Sequence, residues 1–193
     1  MQYGKVVIAG PSAAGKTCIV IRSAKNDFTS DVVTTMTAAF YRKEYTVDNT
    51  PIGLSIWDTA GQERFSAVSP VYFRGAQFAL ICYDCNNMKS FESVKYWTQQ
   101  IKIRAEHNTT CFLLANKCDL EKVVPVELAQ EFAKENNLKY VEVSAKTGQG
   151  INQLFEEIGK LYIISQKAEN VDDSQKIVVK QVDSKESKKG GCC

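Results

Sequence analysis

Four short stretches of this chain carry residues whose types and spacing could bind and cleave a phosphorylated ligand. The first, Gly10-Pro11-Ser12-Ala13-Ala14-Gly15-Lys16-Thr17, fits G-x-x-x-x-G-K-[S/T]. The glycines let the backbone bend so that successive N–H groups face phosphate oxygens, and a helix starting there adds partial positive charge. Lys16 would reach the outer phosphates, and the Thr17 hydroxyl would hold Mg²⁺. The second, Asp58-Thr59-Ala60-Gly61-Gln62, offers a carboxylate that could hold Mg²⁺ directly or through water, with Gly61 leaving room for an N–H to face a terminal phosphate. The third, Asn116-Lys117-Cys118-Asp119, and the fourth, Ser144-Ala145-Lys146, point to the base. The Asp119 carboxylate, which can only accept, could take two hydrogen bonds from guanine N1–H and its 2-amino group; adenine has neither donor there. A site built on such a bond discriminates by about 10⁴ or more. The Lys117 stem could lie over one face of the base, and the Ala145 N–H could bond guanine O6.

Those stretches need a scaffold, and its order is legible. Tyr3-Gly4-Lys5-Val6-Val7-Ile8-Ala9 reads as a buried strand entering the phosphate loop, with a helix from Thr17 onward. Residues 26–37 read as a loop. Strands are expected over 39–47 and 52–57, joined as a hairpin by Asp48-Asn49-Thr50-Pro51. Residues 78–83 and 111–115 are continuously apolar, as central parallel strands should be, and 140–143 is the last strand. Apolar spacing predicts one helix over 89–106, another beginning near Pro125, and a last one from Ile151 to Tyr162. Strands alternating with helices imply an α/β fold with a mostly parallel sheet, whose ligands bind beyond the carboxyl ends of the strands.

Composition sets limits. The 193 residues suffice for one domain, with 44% hydrophobic and 24% charged residues. A net charge of +2 gives no argument for nucleic acid. No apolar run reaches the 18 residues a membrane helix needs, and the N-terminus lacks a signal-peptide pattern. The seven cysteines then read as reduced thiols, none at zinc spacing. His107, the single histidine, reads as a surface residue. From about Lys167 the character changes: residues 167–193 hold no aromatic residue, net +1 and end in Lys188-Lys189-Gly190-Gly191-Cys192-Cys193. They are expected to form a disordered tail, with Ile177-Val178-Val179 as a docking point.

The four stretches, in this order and spacing, resemble the Ras superfamily of small GTPases. Trp57-Asp58-Thr59-Ala60-Gly61-Gln62-Glu63-Arg64-Phe65, Tyr72-Phe73-Arg74-Gly75-Ala76 and the Cys192-Cys193 ending are similar to the Rab family, and Ser12-Ala13, Ala38-Ala39-Phe40 and Ser69-Pro70 to its early-endosomal branch. The resemblance implies a three-layer P-loop NTPase G domain over residues 1–166, with a six-stranded sheet, one antiparallel edge strand and helices on both faces. It implies a GTPase switch of vesicular trafficking that hydrolyses GTP slowly and recruits effectors when GTP is bound. Nucleotide would be held by Ser12, Ala13, Ala14, Gly15, Lys16, Thr17, Cys18, Phe28, Thr35, Gly61, Asn116, Lys117, Asp119, Ser144, Ala145 and Lys146. Lys16, Thr35 and Gln62 would be catalytic, with Gln62 orienting water; Thr17, Thr35 and Asp58 would hold Mg²⁺. Phe40, Trp57 and Tyr72 match an effector-facing aromatic triad, with strand core as the other reading of Phe40 and Trp57. Thr34 is the alternative to Thr35 in a shifted register.

The implied partners are an exchange factor, a GTPase-activating protein, a GDP-dissociation inhibitor, an escort protein and effectors, around a monomeric domain. Cys192 and Cys193 would carry two geranylgeranyl groups, and two chains anchor stably where one is marginal. That places the protein on the cytoplasmic face of intracellular membranes, endosomal in the matching branch, with a cytosolic pool. Two departures stand out. Met36-Thr37 replaces the usual Ile-Gly beside the switch threonine, and Pro11 removes one backbone N–H from the phosphate loop. A nucleotide-bound module that does not switch and an ATP-dependent kinase are the competing functions; Asn116 and Asp119 argue against the kinase.

Overall fold

A computed structural model describes residues 3–28, 35, 38–59, 70–106 and 108–186, with side chains at 70, 71 and 169–186 left aside. Gly61, Gln62, Thr34, Met36, Thr37, His107, Cys192 and Cys193 therefore lie outside the described residues. Six strands form one sheet: β1 (Tyr3–Ala9), β2 (Ala39–Val47), β3 (Thr50–Asp58), β4 (Phe78–Asp84), β5 (Thr110–Asn116) and β6 (Lys139–Glu142). Their spatial order is β2-β3-β1-β4-β5-β6. All pairings are parallel except β2 with β3, so the one antiparallel strand is at the edge, as expected. The helices are α1 (Lys16–Lys25), α2 (Pro70–Phe73), α3 (Met88–Glu92), α4 (Val94–Arg104), α5 (Val126–Glu135) and α6 (Ile151–Glu186).

Alternation along the central strands sends side chains into two apolar layers. Val6, Ile8, Leu54, Ile56, Leu80 and Leu114 pack with Ile19 and Val20 of α1 and Leu154, Phe155 and Ile158 of α6. Val7, Ala79, Ile81 and Leu113 face the other way, onto Val94, Trp97 and Ile101 of α4 and Ala129 and Ala133 of α5. Burial on both faces is why these strands read as unbroken apolar runs. The parallel strands β1, β4 and β5 all end at the same side, and that is where the four chemical stretches emerge.

Several elements differ from the sequence reading. The hairpin turn is two residues, Asp48 and Asn49, at φ 48° and 60°. A two-residue turn with both φ positive matches strand twist, so β3 begins at Thr50. The single helix expected over 89–106 is split at Ser93, whose hydroxyl donates to the Ser90 carbonyl at 2.8 Å. Such local side-chain bonds compete with the helix ladder. The last helix does not stop near the expected domain boundary but runs to Glu186. Residues 167–186 contain no glycine or proline, so nothing local breaks it; Ile177-Val178-Val179 lie on this helix. The short α2 had no sequence signal beyond Pro70 at its first position.

Candidate functional site

The phosphate loop joins β1 to α1, and its path is set by contacts to its neighbours. At Gly10, φ is 144° and a Cβ would sit 2.1 Å from the Cys82 carbonyl oxygen; at Gly15, φ is 85° and a Cβ would sit 2.3 Å from Asn116 Nδ2. Both positions therefore require glycine. Ala13 is also in the left-handed region, at φ 61°. Ala14 is buried, with its carbonyl accepting from Asn116 Nδ2 at 2.8 Å and from the Cys82 thiol at 3.3 Å. Burial pushes the Cys82 thiol up to about 12, which keeps it protonated and donating. Ser12 and Ala13 are exposed at the loop's rim, and Pro11 turns its carbonyl inward.

Lys16 is only 6% exposed and donates to the Gly10 and Pro11 carbonyls at 3.0 and 2.9 Å. Burial lowers its pKa, and nearby Cys82 and Asp58 oppose that shift. The next residue, Thr17, donates its hydroxyl to Asp58 Oδ2 at 2.6 Å and lies 2.8 Å from Thr35 Oγ1. Three elements far apart in sequence thus bring three oxygen-bearing side chains together. Asp58 is fully buried at the end of β3, and its Oδ1 has no hydrogen-bond partner. Burial pushes the Asp58 carboxyl up, opposed by the Thr17 hydrogen bond, the Lys16 charge and Thr35. An unpartnered buried carboxylate oxygen is costly. A hard dication with oxygen ligands would remove that cost, so the donor set fits Mg²⁺.

The base-directed stretches are tied to each other and to the phosphate loop. Asn116, buried at the end of β5, accepts from the Ala145 N–H at 3.2 Å on Oδ1 while Nδ2 holds the Ala14 carbonyl. Ala145 N–H, expected to face guanine O6, thus already has a protein partner. Lys117, at φ 65°, pairs with Asp84 Oδ2 at 2.6 Å. Asp119 is exposed, and its Oδ1 accepts from the buried Ser144 hydroxyl at 2.5 Å. The Ser144 hydroxyl oxygen also accepts from the Thr147 N–H at 3.1 Å, closing the turn. Cys18 and Phe28 are half-buried against the first apolar layer. Lys146 is exposed.

Sequence reasoning missed Arg22 and Asp84. Asp84 ends β4 and carries no motif; Arg22 lies on α1 and reaches the carbonyls of Ala145 and Lys146, more than a hundred residues away. On the sheet edge Phe40 meets Trp57 edge-on, with ring centroids 4.9 Å apart, and Trp57 meets Tyr72 at 5.9 Å. Phe40 is 44% exposed, which excludes strand core for it; Trp57 is half-buried and packs on the second apolar layer. A separate cavity of about 330 Å³, lined by Ile101, Lys102, Cys111 and Leu138 among others, shares no residue with the four stretches.

Comparisons with known proteins identify the family. The Ras family model matches residues 5–163. The chain is 37% identical to "Ras-related protein RABA4d" of Arabidopsis thaliana, covering 98% of this chain and 91% of that protein. It is 37% identical to "Ras-related protein Rab5A" of Oryza sativa subsp. japonica, over 88% of this chain and 85% of the relative. It is 40% identical to "Ras-related protein RHN1" of Nicotiana plumbaginifolia, over 86% and 84%. The chain belongs to the Ras family, among its Rab small GTPases. It binds guanine nucleotide, hydrolyses GTP and serves as a switch in membrane trafficking, with the regulators and effectors general to such proteins.

Proposed function

We propose that this protein is an endocytic Rab switch whose GTP state is read through Thr35 and displayed on the Phe40, Trp57 and Tyr72 surface. The observation that carries this reading is the meeting of Thr17, Thr35 and Asp58, with Thr17 Oγ1 2.8 Å from Thr35 Oγ1 and 2.6 Å from Asp58 Oδ2. It joins the phosphate loop to the segment before β2, so a ligand held at one end is felt at the other. The resemblance to early-endosomal Rabs and the likeness to Rab5A support the endocytic assignment.

Thr17, Thr35 and Asp58 would hold Mg²⁺. When bound, that ion neutralises charge on the β- and γ-phosphate oxygens. Lys16 supplies a cation, held in a buried cradle by two carbonyls, with a third donor for those oxygens. The backbone N–H groups of Ala13 and Gly15 would add fixed dipoles, that of Ala14 being held by the Pro11 carbonyl. Gln62 orients the attacking water; as the water oxygen bonds to γ-phosphorus, the bond from γ-phosphorus to the β–γ bridging oxygen breaks, its electron pair leaves on GDP, and the water's proton passes to a phosphate oxygen. A GTPase-activating protein would add about 10³–10⁵ in rate. Cys192 and Cys193 carry two prenyl groups, and this is the source of membrane attachment. No helix among the described residues is long and apolar enough to cross a membrane. An escort protein and a GDP-dissociation inhibitor handle the prenylated form, and an exchange factor reloads it.

Amide hydrogen exchange tests the switch. Protection over residues 26–40 and 60–75 is expected to rise when a non-hydrolysable GTP analogue replaces GDP. Thr35→Ala should remove that difference over 26–40 while GDP still binds. Equal protection in the two nucleotide states of the unaltered protein would overturn the reading in favour of a module that does not switch.

A further inference from the structure

Arg22 donates to three backbone carbonyls at once, two of them more than a hundred residues away along the chain. Nε donates to the Ala145 carbonyl at 2.8 Å, Nη2 to the Lys146 carbonyl at 2.6 Å and Nη1 to the Asn26 carbonyl at 3.1 Å. The guanidinium is a planar fork, so three carbonyls gripped at once are fixed relative to one another. Two of them are successive peptides of the turn after β6. The third belongs to the residue that caps α1, at φ 54°, whose N–H in turn bonds the Arg22 carbonyl at 2.9 Å.

We propose that Arg22 is a positioning residue that clasps the Ala145-Lys146 turn to the end of α1 and thereby sets how long guanine nucleotide stays bound. Asn26 stands two residues before Phe28, and Ala145 is the residue read as facing the base oxygen. The clasp therefore joins the chain on two flanks of the proposed ring site. A trans peptide aims the Lys146 N–H opposite to the Ala145 carbonyl, so fixing that carbonyl on Arg22 also fixes the direction of the N–H. The adjacent peptide keeps the Ala145 N–H on Asn116. Without the fork, the Ala145 and Lys146 carbonyls lose their hold on α1, and the turn keeps its bonds to Asn116 and Asp119 and the local Thr147–Ser144 bond. The nearest heavy atom to a Cβ built at Gly148 is Arg22 Cδ, at 3.8 Å, so the Arg22 stem also packs along the turn. The inference rests on the reading of Ala145 and Asp119 as the base site.

Release of GDP and of 2-aminopurine riboside diphosphate, each with a fluorescent ribose label, tests it. The second nucleotide lacks the 6-oxo group but keeps the 2-amino group and both phosphates. Arg22→Gln is expected to release GDP about tenfold faster, from the loss of charge-assisted bonds, and to leave the 2-aminopurine nucleotide within about twofold. Arg22→Lys keeps charge and stem without the fork and is expected to stay about threefold fast or more; it also serves if the glutamine variant fails to fold. GDP release within about twofold of the unaltered protein in the soluble variants, or equal acceleration of both nucleotides, overturns the positioning role. Unaltered GDP affinity in Asp119→Asn would instead strike the base-reading premise, and the two failures are thus told apart.

Discussion

The phosphate half and the base half of this site are built on opposite principles. On the base side three polar side chains have protein partners: Asn116 bridges Ala14 and Ala145, Lys117 pairs with Asp84, and Asp119 accepts from Ser144. On the phosphate side burial works against the charges. It lowers the Lys16 pKa, raises that of Asp58, and leaves Asp58 Oδ1 without a partner. A preorganised surface loses little on binding and discriminates well. A surface with unsettled charge changes most when its ligand arrives. On the proposed assignment, recognition of the base sits in the settled half, and response to the terminal phosphate in the unsettled one.

That contrast has measurable consequences. Asp119→Asn should move the preference between guanine and xanthine diphosphates by about 10⁴, the scale of a hydrogen-bonded discriminator. Competition binding against labelled GDP reads it, and an unshifted ratio would place base recognition elsewhere. Lys16→Ala should cost about 10³ in GDP affinity, since it removes a buried hydrogen-bonded charge facing the phosphates. Titration at fixed Mg²⁺ measures this, and the loss should be shared equally by guanine and xanthine nucleotides. A loss confined to one base would mean that the halves are not separable. Ser144→Ala should have the smallest effect, about tenfold faster GDP release, because it strips one charge-assisted bond from Asp119 and leaves the carboxylate in place. Stopped-flow release of labelled GDP reads it, and a loss as large as that of Asp119→Asn would make the hydroxyl the recognition element.

The two halves were also unequally legible. The phosphate loop is dictated by backbone needs, glycine at residues 10 and 15 and a lysine and a hydroxyl next in line, so a local pattern carries it. Asn116, Asp119 and Ser144 stood out for the same reason, being short polar stretches at the ends of apolar strands. Arg22 and Asp84 did not, because what each does depends on groups brought beside it by the fold. Arg22 serves carbonyls 123 and 124 residues away, and carbonyls have no residue type. The fold class followed from strand and helix order, while the break at Ser93 turned on one hydroxyl and the continuation of α6 on the absence of any residue to stop it. Asp58 was readable as a carboxylate; its unpartnered oxygen was not.

Asn116 carries a consequence of a different kind. One planar amide holds the carbonyl of Ala14 with its nitrogen and the N–H of Ala145 with its oxygen. On the proposed assignment, phosphates gripped by the first loop and a ring gripped by the second must therefore agree on where that amide lies. Guanosine and inorganic pyrophosphate, offered as separate molecules, should each favour the other's binding, and by the same factor in both directions. The nucleotide is then more than the sum of its fragments, and a regulator that displaces the amide from either side loosens both at once.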